Sequence, residues 1–123
     1  MKTSNIPEPI QTPLTPAVFQ ILLALSEMEM HGYRIMQAVQ QNSNRQMHMG
    51  PGTLYGSIKR MLADGLIEES GERPDPDLDD ERRRYYRLTA LGRKTVKAEA
   101  ARMDALVRKA QALHLLPDRE GDS

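Results

Sequence analysis

Between Thr53 and Arg60 the chain carries hydroxyls at Thr53, Tyr55 and Ser57 and cations at Lys59 and Arg60, with no carboxylate before Asp64. Hydroxyl, ammonium and guanidinium groups donate hydrogen bonds and neutralise negative charge, so their chemistry is the binding of an anionic surface rather than bond making. The elements around them follow from the apolar residues in the same stretch. Leu54, Ile58, Met61 and Leu62 recur at i, i+4, i+7 and i+8, the spacing of one buried side of an α-helix. The opposite side then presents Thr53, Gly56, Lys59, Arg60 and Ala63, with Tyr55 and Ser57 on its shoulders. A helix with a small, hydroxylated and basic outer face is what a DNA major groove accepts.

Other chemistries find no support. Without cysteine the chain has no disulfide, thiolate nucleophile or cysteine-ligated zinc. His31, His48 and His114 lie far apart and lack metal-ligand spacing, and no cofactor is expected. No glycine-rich phosphate loop, Gly-x-Ser-x-Gly turn or nucleophile with an identifiable base occurs, so the chain does not read as an enzyme. No apolar run reaches the roughly 18 residues of a membrane span, and the start lacks the apolar centre of a signal peptide. A cytoplasmic address is expected.

Net charge is zero over 123 residues, yet its distribution is uneven. From Met30 to Arg60 there is no Asp or Glu, while Arg34, Arg45, Lys59 and Arg60 are cationic; Glu72 to Glu81 holds six acids against one Arg. Nucleic-acid binding depends on where charge sits rather than on its sum.

The remaining elements are those that would hold the basic helix in place. Residues 1–13, with three prolines, read as a flexible arm. Thr15-Pro16 is a helix start, followed by Val18, Phe19, Ile21, Leu22, Leu23 and Leu25, apolar nearly all round and therefore buried. After Gly32, Ile35, Ala38 and Val39 give a second, shorter helix, and Gly50-Pro51-Gly52 breaks the chain before the third. Asp64-Gly65 reads as a helix stop. Leu66 to Ser70 and Arg83 to Leu88 read as paired strands, Tyr86 and Leu88 on one face, with Glu72 to Arg82 as a loop too charged and proline-rich to pack. Thr89 caps a last helix running to about Leu115, roughly 38 Å long at 1.5 Å per residue. Val96, Met103 and Ala110 recur at sevens, interleaved with Leu106 and Leu113, and the far half of this stripe outreaches a three-helix body. A second copy of the chain is the simplest cover. The fold class is mainly α with a small β-hairpin wing: a winged helix-turn-helix over 14–88, a dimerisation helix over 89–116 and a disordered tail over 117–123.

HGYRI at 31–35, GTLYGSIKRMLADGLIEE at 52–69 and RRRYYRLTALGRK at 82–94 together resemble the PadR family of bacterial transcriptional regulators. The resemblance spans about residues 12–115 and implies a winged helix-turn-helix homodimer that binds double-stranded operator DNA. It usually implies repression of a neighbouring gene, relieved by a small hydrophobic or phenolic effector. By position it implies DNA contacts for Thr53, Tyr55 and Lys59, a place near the phosphate backbone for Tyr33, and the basic side of the wing for Arg82, Arg83 and Arg84. Many members have proline where this chain has Gly56, and the acidic wing segment is longer than in the shortest members.

Each assignment has an ordinary counterpart. Lys59 and Arg60 are also what a solvated helix face carries for solubility. Tyr55 serves equally as half-buried packing, and Thr53 as a helix cap. Gly56 costs about 1 kcal/mol relative to Ala inside a helix, so it is either a tolerated neutral residue, the simpler reading, or an opening for close approach of DNA. Arg82 to Arg84 are also suited to neutralising Asp79, Asp80 and Glu81. The eight methionines are core filler more often than a ligand pocket. The alternative function, from another class, is a dimeric winged-helix module for protein contact that docks through its acidic wing.

Overall fold

The computed structural model describes residues 13–74 and 82–117, with Arg82 described for its backbone alone. The expected arm, apart from Pro13, the tip of the acidic segment and the tail after Pro117 lie outside the described residues. In chain order come α1 (Pro16–Leu25), β1 (Met30–His31), α2 (Gly32–Asn42), α3 (Pro51–Ala63), β2 (Ile67–Pro74), β3 (Arg82–Leu88) and α4 (Ala90–Ala112). Helices α1 to α3 enclose the core, and a three-stranded antiparallel sheet in the order β1-β3-β2 closes one side. This is a winged helix-turn-helix: the predicted fold class holds.

Thr15 caps α1 by accepting from the Val18 amide, with Pro16 in the first turn. Ile21, Leu22, Ala24 and Leu25 of α1 meet Ile35 and Val39 of α2 and Leu54, Ile58 and Met61 of α3. Full burial of one such side chain contributes about 1.5–3 kcal/mol, and this cluster fixes how the three helices cross. Met30 and Met61 are core residues and Met36 and Met103 are half-buried, whereas Met28 is exposed and lines an open cleft of about 300 Å³ together with Met30.

Two boundaries differ from expectation. Gly50, not Thr53, is the N-cap of α3, and Pro51 and Gly52 are its first two residues. Proline suits this position because its missing N–H would have no intrahelical partner there. Thr53 is therefore inside the first turn, and its capping role is ruled out. The second difference is the wing. β2 continues through Glu72 and Arg73 to Pro74, paired with Arg84, Arg83 and Arg82, where a loop is predicted. A bulge between Glu69 and Gly71 lets the strand turn, and Gly71 holds φ +117°, a conformation that favours glycine. Of the charges that argue against packing, Glu72 pairs across the hairpin with Arg84, which also meets Glu69, and Arg73 lies over the Tyr85 ring; Arg87 pairs with Glu68. Tyr86 is buried and Leu88 half-buried on the expected face. The two-residue strand β1, on the free edge of β3, was not predicted; two residues are too short to show an alternation.

The join between wing and last helix is tightly built. α3 ends as expected at Asp64-Gly65, the Gly65 amide bonding to the Leu62 carbonyl and the Leu66 amide to that of Met61 at 2.9 Å, with Gly65 at φ +77°. The Thr89 hydroxyl accepts from the Gly92 amide at 3.0 Å, capping α4, and donates to the Gly65 carbonyl at 2.5 Å. A Cβ added at Gly92 would collide with the Leu66 carbonyl, so the start of α4 lies directly on the turn that joins α3 to β2. The start of α4 is therefore fixed on this turn, and its first half packs against α1 and β3.

Candidate nucleic-acid interface

Helix α3 turns Leu54, Ile58 and Met61 into the core and leaves Thr53, Tyr55, Gly56, Lys59, Arg60 and Ala63 exposed, with Ser57 and Leu62 half-buried between. The outer face is the one the spacing predicts. The Lys59 and Arg60 side chains have no carboxylate partner among the described residues, so both charges are available to an outside anion. A free basic helix face in this position has the dimensions for a major groove about 12 Å wide.

The two flanks of α3 are different. On the α2 side, the Tyr55 ring and hydroxyl lie over Gly32, where an added Cβ would stand 2.8 Å from Tyr55 Cζ. Tyr55 is nonetheless 48% exposed, so it packs and presents a surface at once. Beside it, Tyr33 is 45% exposed and stacks on His31, ring centroids 6.5 Å apart. His31 is buried and caps α2: its Nδ1 accepts from the Arg34 amide at 3.2 Å. Its ring also meets Tyr85 edge-on at 5.3 Å. The α2 start, Tyr33 and the wing root are thus held as one unit, which sequence spacing did not reveal because His31 looked like a lone histidine before a glycine.

On the α1 side, Thr15 and Val18 face Gly52, Thr53, Gly56, Ser57 and Arg60 across an open cleft of about 270 Å³.

The wing residues are placed less simply. Arg84 is exposed and engaged with Glu69 at 3.5 Å and Glu72 at 3.8 Å; Arg83 is half-buried, and the Arg82 side chain lies outside the described residues. Asp79, Asp80 and Glu81, the expected partners of these arginines, are also outside them. Arg73 pairs with Glu29 and lies over the Tyr85 ring, 3.9 Å from its centroid. Burial pushes the Tyr86 phenol above its ordinary pKa, against the opposing influence of Arg84, and Tyr86 stays neutral as a core residue.

Along α4, Val96 belongs to this chain's own core, Met103 and Ala110 are half-buried, and Leu106 and Leu113 are exposed. Val107, Leu115 and Leu116 extend the exposed apolar surface. Among the described residues no group of His, Asp and Glu could hold a metal ion.

The sequence profile described as "Transcriptional regulator PadR-like family" matches residues 21–98, from the core of α1 to the first half of α4. The chain belongs to this family. PadR-like regulators are DNA-binding proteins and not enzymes. A transcriptional regulator of Mycobacterium tuberculosis is 33% identical over 89 residues, 72% of this chain and 77% of its own length. An uncharacterised 37.1 kDa protein in a transposon of Streptomyces fradiae is 35% identical over 86 residues, 70% of this chain but only 22% of its own length. Among solved structures, a Streptococcus transcriptional regulator has TM-score 0.66 at 23% identity, with 85% of this chain and 99% of the other covered. A PadR-like transcriptional regulator of Bacillus cereus has TM-score 0.66 at 20% identity, with 82% and 92% covered. At these identities the structures attest the fold. The PadR match ends before the exposed part of α4, so the apolar surface from Leu106 onward is read from this chain alone.

Proposed function

We propose that this PadR-like regulator acts as a homodimeric repressor that places α3 in the major groove of a palindromic operator near its own gene. The observation that carries the reading is the outer face of α3, where Lys59 and Arg60 stand among hydroxyls with no carboxylate partner among the described residues. Lys59 reaches a base edge or a phosphate, Tyr55 and Tyr33 lie along one groove wall, and Thr53, Ser57 and Arg60 along the other. Arg82, Arg83 and Arg84 bring the wing to the flanking backbone. Met103, Leu106, Ala110 and Leu113 pair α4 with its symmetry mate, and Val96 supports the helix from within its own chain. Exposed apolar surface of this extent on a helix is accounted for by a partner helix. Two-fold symmetry then sets two half-sites about one helical turn apart. A small hydrophobic or phenolic effector would act by shifting the separation of the two α3 helices.

Gel retardation of the DNA upstream of the gene tests the reading. The wild type should retard it at low salt, where phosphate contacts are strongest. Lys59→Ala should weaken binding by about 1–3 kcal/mol if the ammonium reads a base. Undiminished binding by both Lys59→Ala and Tyr55→Ala would sink the assignment of α3 as the recognition helix.

A further inference from the structure

The glycines within the described helices fall into two kinds. At Gly92 and Gly32 a Cβ would collide with the Leu66 carbonyl or the Tyr55 ring, so the chain itself excludes a side chain. At Gly52 and Gly56 an added Cβ would meet nothing within 4 Å. Helix propensity disfavours glycine at a helical position, and no neighbour among the described residues asks for it. Both glycines line the same cleft between α1 and α3. A methyl at Gly56 would stand at the lining of that cleft, with no described neighbour within 4 Å.

The other walls define the chemistry of an occupant. The Thr15 hydroxyl accepts from the Val18 amide and keeps its proton to donate outward. Thr53 and Ser57 add two hydroxyls, and Arg60 adds a guanidinium with no carboxylate partner among the described residues. Among the described residues no acid lines the cleft. At about 100° per residue, Thr53, Ser57 and Arg60 lie within a sector of about 60° of α3, so their donors converge. A cleft with several donors, one cation and a bare backbone floor fits a phosphodiester.

We propose that this cleft is a seat for one backbone phosphate of the bound DNA strand, with Gly56 as the positioning residue that lets the phosphate reach Arg60 and the hydroxyls. The inference rests on the DNA-binding reading of α3. It makes Gly56 a determinant of affinity: the phosphate lies against the helix backbone at Gly56, and any side chain there lifts the strand away.

The test is Gly56→Ala, measured by fluorescence anisotropy on a duplex from the upstream DNA and on an unrelated duplex of equal length. Because alanine is the better helix former and meets no neighbour, melting temperature should stay level or rise. Affinity should nonetheless fall about tenfold, the scale of one charge-assisted hydrogen bond, and by the same factor on both duplexes. Arg60→Gln should weaken the wild type similarly, but add little in the Gly56→Ala background, because the methyl has already separated the phosphate from the guanidinium. Wild-type affinity in Gly56→Ala, or fully additive losses in the double variant, would overturn the phosphate seat while leaving α3 as the recognition helix. Failure of the wild type to bind either duplex would remove both readings together.

Discussion

Glu99 is a carboxylate with no solvent exposure, on a helix whose far half is largely bare. Both its oxygens are engaged: Oε1 accepts from Arg102 Nε at 2.7 Å, and Oε2 accepts from an Arg102 terminal nitrogen at 2.8 Å and from the Leu14 amide at 3.1 Å. The Arg102 hydrogen bond, reinforced by the Leu14 amide, holds the Glu99 carboxyl below the usual carboxylate range against the opposing effect of burial. The folded pKa therefore lies below the unfolded one. Stability from this group is fully present above the unfolded carboxylate pKa and is lost as pH falls through the folded value. Glu99→Gln should accordingly flatten the acid limb of a melting-temperature profile, with little change in slope near neutrality; an acid limb identical to that of the wild type would contradict the linkage. The cluster also ties α4 to Leu14, one residue before the α1 cap that borders the cleft between α1 and α3. Such links were not legible in the sequence, where Glu99 and Arg102 look like an ordinary surface pair at i, i+3. Leu54, Ile58 and Met61 were legible because burial follows helical period, whereas the buried Glu99 depends on a chain neighbour 85 residues away.

At the level of elements, the three helices, the Asp64-Gly65 stop, the Thr89 cap and the outer face of α3 were all readable from period and capping chemistry. The wing was readable only in part. Glu72 and Arg73 belong to β2 although they look unfit for a strand until their partners across the hairpin, Arg84 and Tyr85, are known, and the two residues of β1 carry no pattern. The far half of α4 has a sharper consequence. Leu106 is 59% exposed in the single chain, so Leu106→Asp should leave the monomer fold and its helical content intact. Sedimentation should then report monomers for the variant and dimers for the wild type. Dimers unchanged by Leu106→Asp would place the interface elsewhere.

For the molecule as a whole, zero net charge is compatible with DNA binding because the acids and bases are segregated. The acids of β2 are opposed by Arg84 and Arg87, while the cations of α3 are not opposed at all among the described residues. Because Thr89 and Gly92 seat the start of α4 on the Gly65-Leu66 turn that follows α3, the proposed pairing of two α4 helices would also set the spacing of two α3 helices. The central claim is therefore geometric: two copies of α3, one helical turn apart, in successive major grooves. Dimethyl sulfate protection on the retarded complex tests it directly, because guanine N7 lies in the major groove and adenine N3 in the minor groove. The expected result is two patches of N7 protection about one helical turn apart. Protection confined to adenine N3, or a single patch without a symmetric mate, would contradict it.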